Sequence, residues 1–153
     1  MFTFASVNDV CLLDFDGSTI ASGHFDNNLR FWDARSGNCV KEVQGIHLGQ
    51  ITSVCPSPEG TQILTTSRDN TLRIVDVRTY ETLSVLHADG YKTGTNWSKA
   101  CFRYGDKYTH TVQRDGTHQP LVLSFQFATV DKCGRANGIA LSSFFPPPPL
   151  TIP

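Results

Sequence analysis

From Asp9 to Leu86 the chain alternates short apolar or β-prone runs with polar turns, and the spacing predicts strands throughout. The first four runs are Asp9–Leu13, Thr19–Ser22, Leu29–Trp32 and Cys39–Val43. Between them lie Asp16-Gly17, Asp26-Asn27-Asn28 and Ser36-Gly37-Asn38, residues that tolerate tight or left-handed backbone. The next four are Ile51–Cys55, Gln62–Thr66, Leu72–Val75 and Thr82–Leu86, broken by Pro58-Glu59-Gly60 and Arg68-Asp69-Asn70. No stretch has apolar residues at helical spacing, so the expected class is all-β.

The two groups are copies of one another. Val10-Cys11 matches Val54-Cys55, Ile20 matches Ile63, and Asp26-Asn27 matches Asp69-Asn70. Leu29-Arg30-Phe31-Trp32-Asp33 matches Leu72-Arg73-Ile74-Val75-Asp76. The offset is 44 residues at the start and 43 from Gly17 onward. A third copy begins near Trp97-Ser98-Lys99-Ala100-Cys101-Phe102, and Leu121–Phe127 suits its third strand. From about Asp131 the repeat is lost, and Pro146–Pro149 favour an extended polyproline II tail. A period of 40–45 residues ending in Trp-Asp resembles the WD40 repeat. That resemblance implies β-propeller blades: 7–44, 49–88 and a partial blade at 97–127, with 128–153 an irregular Pro-rich tail. Propellers close with 4–8 blades, so the reading is of an incomplete propeller: first a piece of a longer protein, otherwise an aberrant transcript product or a chain that assembles with another.

Composition narrows the partners. Thirteen Lys and Arg against fourteen Asp and Glu leave a net charge of −1, which gives no overall field for nucleic acid. Five cysteines with no C-x-x-C pair suggest neither a disulfide framework nor a zinc site. Cys11 and Cys55 occupy matching repeat positions and read as small buried hydrophobes. No apolar run approaches the roughly 20 residues that span a bilayer. The chain is expected in the cytoplasm, without cofactor or metal.

The second repeat and its exit loop are more distinctive. Ser67-Arg68-Asp69-Asn70-Thr71-Leu72-Arg73-Ile74-Val75-Asp76 and His87-Ala88-Asp89-Gly90-Tyr91-Lys92-Thr93-Gly94-Thr95-Asn96-Trp97 resemble the autophagy-related protein 16 family. The resemblance implies an autophagy scaffold that recruits ubiquitin-like conjugation machinery to forming autophagosome membranes, with conjugation-complex proteins and membrane receptors as partners. A peripheral membrane contact is also implied, whereas the alternative is a WD40 adaptor of another pathway.

The resemblance to WD40 repeats implies structural roles for Ser22, Asp26 and Trp32 in one blade, and for His47, Thr65 and Asp69 in the next. In such repeats a turn carboxylate is buried against a strand hydroxyl, a loop histidine and an indole N–H. Val75 replaces the second Trp and offers no donor. Phe25 and Arg68, just before the turn Asp, are candidates for partner binding, as are Tyr91, Lys92 and Trp97 in the long loop. The competing reading is that Trp97 packs in the blade and Lys92 is solvated. Leu12-Leu13-Asp14-Phe15-Asp16-Gly17-Ser18-Thr19 also resembles the D-x-D-G motif of haloacid-dehalogenase-type phosphatases, with Asp14 as nucleophile and Asp16 as general acid. Against it, the second repeat has Glu59-Gly60 at the same turn, and no helices alternate with the strands. Phe145-Pro146-Pro147-Pro148-Pro149 has the form of a ligand for an aromatic-lined groove of the EVH1 type.

Overall fold

The computed structural model describes residues 5–87, 91–96 and 98–102, and the backbone strands at 108–113, 121–127 and 139–141. Twelve strands form three four-stranded antiparallel meanders. The first contains β1 (Val7–Leu12), β2 (Thr19–His24), β3 (Leu29–Asp33) and β4 (Cys39–Val43). The second contains β5 (Ile51–Pro56), β6 (Gln62–Ser67), β7 (Leu72–Asp76) and β8 (Thr82–Leu86). In the third are β9 (Lys99–Phe102), β10 (Tyr108–Gln113), β11 (Leu121–Phe127) and β12 (Ile139–Leu141). The eight strands expected in the first two repeats are all present. The strand β12, which falls in a segment read as irregular tail, pairs Ile139 with Phe127 and gives the third sheet a fourth strand. At three residues and without a repeat signature, it carried no pattern to read. The four prolines Pro146–Pro149 lie outside the described residues.

The core lies between sheets, where each meander covers the next. Leu13, Ala21, Leu29 and Phe31 of the first blade pack with Ile51, Val54, Ile63 and Val75 of the second. Leu64, Leu72, Ile74 and Leu86 meet Ala100 and Tyr91 on the other side. Burying a Leu, Ile or Phe contributes about 1.5–3 kcal/mol, so these seams hold the array together. Contact at the first seam depends on a missing side chain. A Cβ on Gly23 would stand 2.4 Å from Ile51 Cγ2 and 2.7 Å from Val54 Cγ2.

Hydrogen bonds repeat along the inner strands. Asp9 accepts from the Val54 N–H at 2.9 Å, and Ser53, its repeat counterpart, accepts from the Ala100 N–H at 3.4 Å. Asp9 also holds Lys99 Nζ at 2.6 Å, tying the first blade to the third. At the opposite end Tyr80 has φ +60, where its repeat counterpart is Gly37 at φ +68. A bulky residue there costs of order 1 kcal/mol. The edge-on contact with Phe31, at 4.8 Å between ring centroids, offsets that strain across the seam.

Candidate interaction face

The β2–β3 and β6–β7 turns and the loop from β4 to β5 emerge at the same end of the array. On that end the second blade builds a closed polar network. His47 Nδ1 lies 3.0 Å from Asp69 Oδ2, and its Nε2 lies 2.9 Å from Thr65 Oγ1. The Leu48 and Thr71 N–H groups each donate to Asp69 at 2.9 Å, and the Thr71 hydroxyl donates at 2.7 Å. Burial opposes charge on Asp69, but these donors outweigh it and hold the carboxyl below its usual range. Burial pushes the His47 pKa down despite the neighbouring carboxylate, so the ring is neutral. A carboxylate can only accept, which assigns the single ring proton to Nδ1 and leaves Nε2 to accept from Thr65. His47 thus joins Thr65 and Asp69 in one hydrogen-bonded set.

The first blade differs. Trp32 Nε1 donates to Ser22 Oγ at 2.7 Å, which is the expected half of its network. Asp26 does not join them. It pairs instead with Arg30, whose NH2 lies 2.6 Å away, and Arg30 also contacts Glu42 on β4. The physical reason lies in the loop: the position 44 residues before His47 is Thr3, so no loop imidazole is available. His24 supplies one from the strand, with Nε2 2.8 Å from Ser22 Oγ and Nδ1 3.4 Å from the Ala5 carbonyl. Ser67, its counterpart, donates to the equivalent Gly49 carbonyl at 2.8 Å. The signal for His24 was its place two residues after Ser22, on the same face of one strand.

Both imidazoles titrate below the unfolded value of about 6.5, His24 because burial and then the Arg30 charge disfavour its cation. On acidification the unfolded chain therefore takes up protons before the folded one, and stability falls from about pH 7 downward. Urea midpoints are expected to drop between about pH 7.5 and 5. The His24→Gln/His47→Gln double variant should flatten that slope. An equally steep slope in the variant would show that the histidines do not cause it.

At this end Phe25, Leu48, Arg68 and Lys92 are each exposed. Leu48 is 89% exposed, held outward because its own N–H is bonded to Asp69, and Phe25 is 54% exposed. Arg68 is exposed, its backbone lies against Gly49, and its guanidinium donates to Asn96 Oδ1 at 3.2 Å. Lys92 is exposed as well. Tyr91 is corrected: it is 4% exposed, packs with Leu64 and Leu72, and accepts from the Thr93 hydroxyl. An aromatic ring in a loop that folds back on the seam gains more from burial than from solvent. Trp97 lies outside the described residues. Leu48 had no signal in the repeat, because its counterpart position falls in the loop before the first blade.

The Asp14–Asp16 motif sits at the opposite end, in the β1–β2 hairpin. Asp14 accepts from Ser18 Oγ at 2.7 Å and from the Thr19 N–H at 3.1 Å, bonds that lower its pKa to about 2. Its oxygens staple the turn, and Phe15 between the two carboxylates points into solvent. A cleft of about 450 Å³ beside it is lined by Asp16, Trp32, Asp33, Arg35 and Tyr80. Cys11 and Cys55 are half-buried against the two seams, where burial pushes the thiol of Cys11 up to about 12 and that of Cys55 upward too. Among the described residues no three His, Cys, Asp or Glu side chains gather as a metal site.

Three meanders sharing apolar seams, with a turn Asp clamped by a loop His, define a WD40-repeat protein. The chain belongs to that class: residues 2–33 and 37–76 match the family described as WD domain, G-beta repeat. Within it, the chain is 42% identical over 118 residues to Protein tipD of Dictyostelium discoideum, covering 76% of this chain and 19% of that one. It is 41% identical over 117 residues to Autophagy-related protein 16 of Arabidopsis thaliana, covering 76% and 22%. The chain thus spans about a fifth of the length of these relatives. The crystal structure of RRP9 WD40 repeats superposes with a TM-score of 0.69 at 14% identity, over 93% of this chain and 40% of that one. That likeness shows the fold alone. The chain is a WD40 protein-interaction module with autophagy-related homologues.

Proposed function

We propose that this module serves an autophagy scaffold and helps recruit ubiquitin-like conjugation machinery to forming autophagosome membranes. The observation that carries the reading is the similarity, above 40% over three quarters of the chain, to an autophagy-related protein 16. The end of the array that exposes Phe25, Leu48 and Arg68 is the surface proposed to meet a protein partner. An exposed aromatic ring and an arginine are residue types enriched in protein interfaces. Lys92 alone adds about 1 kcal/mol toward an anionic membrane, which makes protein contact the main source of affinity.

The test is made in cells. Deleting this chain's gene is expected to lower the lipid-conjugated ubiquitin-like modifier on starvation, and re-expression should restore it. Leu48→Asp should fail to restore it while leaving the thermal midpoint unchanged, since Leu48 adds nothing to the core. Normal conjugation in the deletion would overturn the autophagy reading. Full rescue by Leu48→Asp would remove this surface from it.

A further inference from the structure

At the end of the array away from Leu48, two aromatic rings from different blades line one cleft. Trp32 comes from β3 of the first blade, and Val75 holds its place in the second. Tyr80 comes from the β7–β8 turn of the second blade, where the first has Gly37. The turn keeps Tyr80 at φ +60 although glycine would sit there without strain, and such strain is retained where the side chain it places has a task. With Phe31 and Val40 the two rings wall a volume of about 450 Å³. That lies within the roughly 300–1,000 Å³ of ligand sites.

The polar groups of the cleft are unequal. Asp33 accepts from the Arg35 N–H at 3.0 Å and the Ser36 hydroxyl at 2.8 Å, and Asp16 accepts from the Ser18 N–H at 3.4 Å. The Ser18 hydroxyl donates to Asp14, and the Trp32 N–H to Ser22. The Arg35 guanidinium and the Tyr80 hydroxyl have no hydrogen-bond partner among the described residues. Charge balances as well. Asp16 and Asp33 stand against Arg35 and against Lys41, whose Nζ lies 5.8 Å from the Tyr80 ring centroid.

We infer that this cleft binds a proline-rich segment of a partner protein in the polyproline II conformation. Such a segment is uncharged, presents apolar rings, and carries carbonyl acceptors without N–H donors. It therefore needs aromatic walls with free donors between them, which Trp32, Tyr80 and Arg35 supply. Because the conformation is preformed, little entropy is lost on docking and a shallow cleft suffices.

Isothermal titration calorimetry of the full chain with the peptide Phe-Phe-Pro-Pro-Pro-Pro-Leu is the test. That is the sequence of residues 144–150, so Pro146–Pro149 are changed to alanine in the titrated chain to remove an internal competitor. Saturable binding in the micromolar to submillimolar range is expected, and a Gly-Ser peptide of equal length should not bind. Tyr80→Gly, which installs the residue of the first repeat, should weaken binding about tenfold or more with the circular dichroism unchanged. Arg35→Ala, at an exposed position, should weaken it several-fold. No saturable heat at millimolar peptide would overturn the assignment. So would undiminished binding by both variants, or tighter binding of an acidic or basic peptide that lacks proline.

Discussion

Replacing Gly23 with valine is expected to remove about 3 kcal/mol of stability, the upper end of what overpacking a filled interior costs. Glycine in a strand is ordinarily a weakness, and alanine at an unhindered site would gain about 0.5–1 kcal/mol over it. Here the sign reverses, because even a Cβ would lie inside the contact distance of Ile51 and Val54. Gly23→Ala should therefore destabilise, by less than valine does. Trimming Ile51 in the same background should recover part of the loss, giving a favourable coupling in a double-mutant cycle. Urea denaturation measures all four species. A Gly23→Val chain as stable as the parent would show that the seam is looser than described.

The second large effect is expected at Asp69. Changing it to alanine strips acceptors from His47, Leu48 and Thr71 at once and leaves their donors unsatisfied next to the core, at a cost of about 3 kcal/mol. Asp26 holds the same place in its repeat, yet Asp26→Ala should cost less than about 1 kcal/mol. Its side chain is a third exposed, and the buried Arg30 guanidinium keeps a second carboxylate, Glu42, so its charge stays paired when Asp26 is lost. The comparison isolates the network from the position. Equal losses at both sites, read from urea midpoints, would mean that the turn and not the loop histidine determines the cost.

That contrast also marks how far the sequence could be read. The repeat offset located eight strands, because each copy places apolar residues and turn residues at the same distances. In the structure His47 bonds both Asp69 and Thr65, residues whose repeat counterparts are Asp26 and Ser22. The offset misplaced Asp26, whose surroundings depend on a loop residue, Thr3, that lies before the first copy. Tyr91 was taken for a surface anchor because loop aromatics can face either way, and only the position of the seam decides. Leu48 and Gly23 gained their importance from neighbours in another blade, and a one-dimensional pattern does not carry that information. β12 pairs through its backbone, so its three residues needed no motif.

The clamps described above are all directed backward along the chain. His47 precedes Asp69 by 22 residues, and Asp9 precedes Val54 by 45. The second blade is therefore locked by segments synthesised before it. A nascent chain leaving the ribosome can close its first seam once β7 has emerged, with no need for the distal end. Local closure of this kind favours fast folding and gives vectorial synthesis a ratchet, in which each new blade docks on a finished template.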